Sequence, residues 1–230
     1  MDISKSFLKK FLTSIVFIAT FGFGQPCDIE NLSQSLSETP FSTKGPVEMM
    51  GESAAAIDNN SVVIAYTSTV DGIRIGEFIV IDLFGNIELQ PVTFHNDITS
   101  SPSVAVLDSN SVFICYKDGN DDNKGKYVVY NLNTGEQELS ETGFNEGSTN
   151  NNYFSTIADS STAIIAYRDD SDGQKGKFVV VNPQTGQIKV EETTFSSAID
   201  VASVTAIDSS HTLIAYDEAS PSNSSYFFVI

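Results

Sequence analysis

From Ser53 to the C-terminus, short apolar runs alternate with clusters of Asp, Asn, Ser and Gly. The unit is clearest between residues 103 and 144. There "SVAVLD" leads through an Asp-Ser turn to "SVFICY". A polar loop follows, then "GKYVVYN", the turn "NLNTGEQ" and finally "EQELSETGF". These runs are short, rich in Val, Ile, Tyr and Phe, and bounded by turn residues, which is the pattern of β-strands. We denote the four strands a, b, c and d. Strands b and c are apolar on both faces, as a sheet held between two neighbouring sheets requires. Outside the N-terminal run, no segment combines helical periodicity with helix caps.

The unit recurs. Aligned on the tyrosine that ends strand b, the copies carry Tyr66, Tyr116, Tyr167 and Tyr216, at intervals of 50, 51 and 49 residues. A period of that length built from strands predicts blades of four strands each. The repeats cover about 53–94, 103–144, 154–195 and 202–230. Most repeated residues have structural work. Asp58, Asp108, Asp159 and Asp208 each open an a–b turn, where a short carboxylate side chain bonds the turn backbone. Thr134–Gly135, Thr185–Gly186 and Phe84–Asn86 read as hairpin turns that need a positive φ. Gly76, Gly125 and Gly176 open strand c and suggest a bulge. The four tyrosines are expected to pack between blades.

The fourth copy stops at "YFFVI", the counterpart of strand c, and so lacks a strand d. The N-terminal "LSQSLSETPFSTKG" resembles the strand-d region "EQELSETGF", sharing "LSET" and the phenylalanine, here Phe41 and Phe144. The expected fold is therefore all-β, a propeller of four blades of four antiparallel strands, closed by an N-terminal strand at 33–41. Closure of this kind removes exposed sheet edges. A fragment of a larger ring is the alternative. Over residues 31–230 the chain resembles secreted β-propeller repeat proteins in general. It lacks the WD dipeptide, the kelch double glycine and the "S-x-D-x-G-x-T-W" box of sialidases, so the resemblance implies a fold and carries over no functional residue.

The N-terminus changes the cellular picture. Lys5, Lys9 and Lys10 precede an apolar run from Phe11 to Phe21, and small residues Gly22 and Gly24 stand before Gln25. This is the pattern of a signal peptide over 1–24, followed by a propeller domain over 25–230. The run is shorter than the roughly 20 residues of a membrane span. A secreted, extracellular or periplasmic location follows. The whole chain holds 12 basic and 30 acidic residues; without residues 1–24 it holds 9 and 29. Such a surface repels nucleic acid and anionic membranes, so neither nucleic-acid binding nor membrane insertion of the mature chain is expected. The partner expected is an extracellular protein or a glycan. Cys27 and Cys115 would meet an oxidising compartment. Cys115, however, stands where other copies have Ala65, Ala166 and Ala215, the position of a small buried hydrophobe.

In a propeller the d–a and b–c loops share one face, opposite the a–b and c–d turns. The turns repeat, whereas the loops vary, so the loop face is the place for binding. Two b–c loops, "KDGNDDNKG" and "RDDSDGQKG", are acidic. Asp118, Asn120 and Asp122 in the first, with Asp121, and Asp169, Asp170 and Asp172 in the second, offer oxygen ligands at alternate spacing. Their first reading is solvated turns, with weak Ca²⁺ binding as the alternative; no other cofactor is expected. No catalytic residue stands out. With only Arg74 and Arg168, a sialidase-type clamp of three arginines cannot form. His95 and His211 lie in unrelated positions and are expected on the surface. The functional expectation is a non-catalytic binding or adhesion module, with a carbohydrate-active hydrolase as the alternative.

Overall fold

The computed structural model describes residues 54–149, 154–219 and 224–230, all in one compact unit that spans Pro40–Ile230. The expected signal peptide, Cys27 and the expected closing strand at 33–41 lie outside the described residues. The fold is all-β. Among the described residues, fifteen strands form four antiparallel sheets, each a meander in which sequence neighbours pair.

Sheet A holds β1 (Ala54–Ala56), β2 (Ser61–Val70), β3 (Ile73–Asp82) and β4 (Ile87–His95). Sheet B holds β5 (Thr99–Val106), β6 (Ser111–Asp118), β7 (Lys124–Asn131) and β8 (Gln137–Ser148). Sheet C holds β9 (Phe154–Asp159), β10 (Thr162–Asp169), β11 (Lys175–Val181) and β12 (Ile188–Ser196). Sheet D has three described strands, β13 (Ile199–Ala206), β14 (Thr212–Glu218) and β15 (Ser225–Val229). The first strand of each later sheet lies against the first strand of the sheet before it. This stacking of consecutive meanders is propeller-like.

The double-sided apolar pattern of strands b and c now has a physical account. Along β6, Val112, Ile114 and Tyr116 join Val63, Phe78 and Phe94 in a core between sheets A and B. The intervening Phe113 and Cys115 join Ile165, Tyr167 and Val179 in a core between B and C. A third core joins Ile164, Ala166, Phe178 and Val180 to Val204 and Ile214. A period of two thus feeds two cores from one strand. Cys115 is buried there, as its alanine counterparts predict.

The sheet ends differ. At one end, Asp58 Oδ1 accepts from the amides of Asn60 (2.6 Å) and Ser61 (2.9 Å), and Asp108 Oδ1 accepts from Asn110 (2.7 Å) and Ser111 (3.0 Å). Asp159 and Asp208 do the same for Ser161 and Ser210. Gly135 and Gly186 turn the c–d hairpins at φ of 70° and 74°, a region L-residues rarely enter. The amides of Leu83 and Leu132 donate to the carbonyls of Asn60 and Asn110, tying c–d turns to a–b turns. At the other end, b–c loops bond d–a segments: Gly119 N to Ile98 O (2.7 Å), Thr149 N to Asn123 O (2.9 Å) and Ile199 N to Gln174 O (2.9 Å).

The bulge expected at the strand-c glycines is present after Gly76 and Gly176, where the pairing register shifts. The glycines have a further reason. A Cβ on Gly76 would lie 2.3 Å from the ring of Phe94, one on Gly125 1.9 Å from Phe144, and one on Gly176 2.5 Å from Phe195. Each phenylalanine lies on its glycine and turns its other side to the next sheet's tyrosine: Phe94 to Tyr116 (centroids 5.3 Å), Phe144 to Tyr167 (5.1 Å) and Phe195 to Tyr216 (5.0 Å).

Candidate functional site

The loop ends of sheets B and C are built on one motif that recurs at a 51-residue interval. The tyrosine ending strand b pairs across the ladder with a lysine of strand c: Tyr116 with Lys126, and Tyr167 with Lys177. Strand b ends in an aspartate two residues on, and strand d supplies a glutamate. In sheet C, Lys177 Nζ lies 2.7 Å from Asp169 Oδ2, 2.5 Å from Glu192 Oε1 and 2.9 Å from Asp172 Oδ2. The Tyr167 hydroxyl donates to Glu192 Oε2. In sheet B, Lys126 Nζ lies 2.7 Å from Asp121 Oδ2 and 3.1 Å from Glu141 Oε1, and Tyr116 donates to Glu141 Oε2 at 2.5 Å. Three strands of each sheet are thereby cross-linked just beneath the variable loops.

Protonation follows from these contacts. Burial, then hydrogen bonding to the glutamates, pushes the Tyr116 and Tyr167 hydroxyls far above the ordinary phenol range. Burial alone would raise Asp169, yet Lys177 and Ser171 hold it below the usual carboxylate value. Burial would likewise lower Lys177, but Asp169, Glu192 and Asp172 hold it above the usual ammonium value. Asp169 and Lys177 are thereby held as a charged pair.

The acidic loop residues singled out from sequence have identifiable partners. Asp118 Oδ1 caps the turn by accepting from the amides of Asn120 (2.9 Å) and Asp121 (3.2 Å). Asp169 Oδ1 does the same for Ser171 (2.9 Å) and Asp172 (3.1 Å), opening a 3₁₀ turn over Asp170–Asp172. Asp121 pairs with Lys124 and Lys126, Asp172 with Lys175 and Lys177, and Asp170 with Arg168. Asp122 lies in the turn at φ 52°. Asp118 and Asp169 therefore cap turn amides, and Asp121 and Asp172 turn to lysines of the following strand.

One position departs from expectation. His95 is not a surface residue: its side chain is 13% exposed, because the end of β4 lies against the next sheet and brings the imidazole to 4.9 Å from the Tyr116 ring. Its Nε2 lies 3.6 Å from both Asp118 Oδ2 and Glu141 Oε2. His211 is exposed as expected and bonds Asp208 in an a–b turn. The signal that would have revealed the motif was present in the repeat alignment: Asp118/Asp169, Lys126/Lys177 and Glu141/Glu192 share the interval of Tyr116/Tyr167.

No family model matches the chain, and no curated protein matches it. Among solved structures, the fold is similar to a protein of unknown function from Dyadobacter fermentans, with a TM-score of 0.57 and 9% identity over 73% of this chain. It is also similar to a variant of NanB sialidase from Streptococcus pneumoniae, with a TM-score of 0.53 and 12% identity over 77% of this chain. The chain spans 48% of the first structure and 30% of the second. At these identities the likeness is one of fold.

Proposed function

We propose that the chain is an exported, non-catalytic binding module, a four-bladed propeller whose variable loop face takes an extracellular glycan or protein. Residues 33–41 supply the fourth strand of sheet D and close the ring. One observation carries the binding reading: the two sheet ends are built differently. Asp-capped turns of repeated sequence finish one end, while at the other, loops of differing sequence stand on the Tyr–Glu–Lys–Asp cross-links of sheets B and C. Rigid bases under varied tips suit recognition. The non-catalytic reading is supported by the lysines that neutralise the repeated carboxylates. Closure is supported by the shared "LSET" and phenylalanine at 36–41 and 139–144. Weak Ca²⁺ binding at the acidic loops remains part of the proposal, in competition with Lys124, Lys126, Lys175 and Lys177.

A glycan is the first ligand class to test, since a sialidase shares the fold. The secreted chain is applied to a glycan array and, in parallel, incubated with chromogenic glycosides. Binding without turnover is the expected result. Steady release of the chromophore would favour a hydrolase, and silence on the array would direct the search to protein partners.

A further inference from the structure

His95 stands where the equivalent ends of strand d carry Asn145 and Ser196. Asn145 satisfies backbone groups, accepting from Gly125 N at 2.8 Å and donating to Gly147 O. His95 has a different environment. The Thr99 hydroxyl lies 2.8 Å from His95 Nδ1 and donates to the carbonyl of Asp97 at 2.8 Å. That hydroxyl proton is thus committed, and the imidazole must donate from Nδ1 to Thr99. This tautomer is assigned from the hydrogen-bond network. Nε2 then faces the carboxylate oxygens of Asp118 and Glu141, an arrangement that a cation between them would complete.

A second observation points the same way. Asp118 is 6% exposed, and among the described residues no donor lies within hydrogen-bond distance of its Oδ2. Lys126 Nζ lies 3.7 Å away, whereas its counterpart Lys177 is 2.7 Å from Asp169 Oδ2. Lys126 is drawn instead to Asp121 and to the far oxygen of Glu141. His95, Asp118 and Glu141 each offer one ligand atom, and these atoms all lie within 4.8 Å of one another.

We propose that His95 Nε2, Asp118 Oδ2 and Glu141 Oε2 bind a divalent cation of the Zn²⁺ class. The 3.6 Å separations from Nε2 exceed an N–H···O⁻ bond of about 2.8 Å. They fit an edge of a tetrahedron with metal–ligand bonds of about 2.0–2.2 Å, which is about 3.3–3.6 Å. An imidazole nitrogen with two carboxylates selects a borderline ion over Ca²⁺. The Thr99 hydroxyl orients the ligating ring from behind. Around it Asp118, Asp121 and Glu141 outnumber Lys124 and Lys126 by one charge, which favours a cation. Glu141, 36% exposed along its side chain, leaves the outer side to water ligands. The ion would join sheet A to sheet B beneath the first acidic loop.

The test uses the full secreted chain, stripped with chelator and titrated with ZnCl₂ by calorimetry, with Co²⁺ absorption as a second readout. One equivalent of Zn²⁺ is expected, with visible Co²⁺ bands of low coordination number. His95→Asn installs the residue that the next sheet carries at this position and is expected to fold; it should weaken Zn²⁺ binding at least tenfold and remove the Co²⁺ bands. His211→Asn, at the exposed histidine of an a–b turn, should change neither. No uptake by the stripped wild type would overturn the site, as would equal uptake by His95→Asn. Glycan binding is read separately, so either idea survives failure of the other.

Discussion

Phe144 meets Tyr167 edge to face across the boundary between sheets B and C, with ring centroids 5.1 Å apart and planes at 61°. The geometry needs Gly125 beneath the phenylalanine, since a Cβ there would lie 1.9 Å from its ring. The same triplet joins A to B and C to D, so one glycine, one phenylalanine and one tyrosine per repeat set the spacing of the sheets.

Gly125→Ala is therefore expected to destabilise by about 1–3 kcal/mol through overpacking. For a chain of this size, thermal melts should fall by about 2–4 °C per kcal/mol. Gly173→Ala is the informative contrast: its φ of 68° is strained for alanine, but no atom lies within 4 Å of the added Cβ. A Gly125→Ala protein that melts like wild type would remove the steric account of the repeat glycine.

Lys177 is held by three carboxylates and is 7% exposed along its side chain. Lys177→Met leaves the buried Asp169, 5% exposed along its side chain, without its cation, at a cost of about 3 kcal/mol. Denaturant unfolding of this variant and of the exposed control Lys189→Met should separate clearly; equal midpoints would mean that the network contributes nothing.

Acid should attack the same contacts. Asp169 is held below its ordinary 3.8 and Glu141 below its ordinary 4.5. A carboxylate lowered by folding contributes stability that is present above its unfolded value and is lost as pH falls through the folded one. Lys177, held above 10.5, contributes below that value and loses its share only as pH rises through the raised one. The melting temperature should be flat from about pH 5 to 9 and fall below about pH 4. Lys177→Met should flatten that acid limb, and an unaltered limb would show that other carboxylates set it.

Export is checked by mass. The protein recovered from the medium should begin at Gln25 or within a few residues of it. An intact Met1 in the secreted pool would contradict the signal peptide.

Much of this fold was legible because the chain states it four times. Period-two runs such as "SVFICY" placed strand b, and the 50-residue interval separated the sheets. Asp108 and Gly135 announced their turns by residue type, since few side chains cap an a–b turn or accept a positive φ. The site was less legible. Reading the b–c loops alone grouped Asp118 with Asp122 by proximity in sequence. Its partners are instead Lys126 and Glu141 on the next two strands and His95 on the preceding sheet, contacts set by register and stacking. His95 looked superficial because its neighbours His95–Asn96–Asp97 read as loop, and nothing local shows that the end of β4 lies against Tyr116.

The central claim is a ring closed by the N-terminal strand, and a cross-link tests it most directly. In sheet B, Tyr127 pairs with Thr142; the aligned residues are Phe227 and Thr39. Paired Cα atoms on antiparallel strands lie about 4.5–5.5 Å apart, within disulfide reach. The secreted Thr39→Cys, Phe227→Cys double variant is digested without reduction and mapped by mass spectrometry. A peptide pair joined through positions 39 and 227 in monomeric protein is the predicted result. Two alkylatable thiols at those positions in the folded monomer would contradict the closed ring.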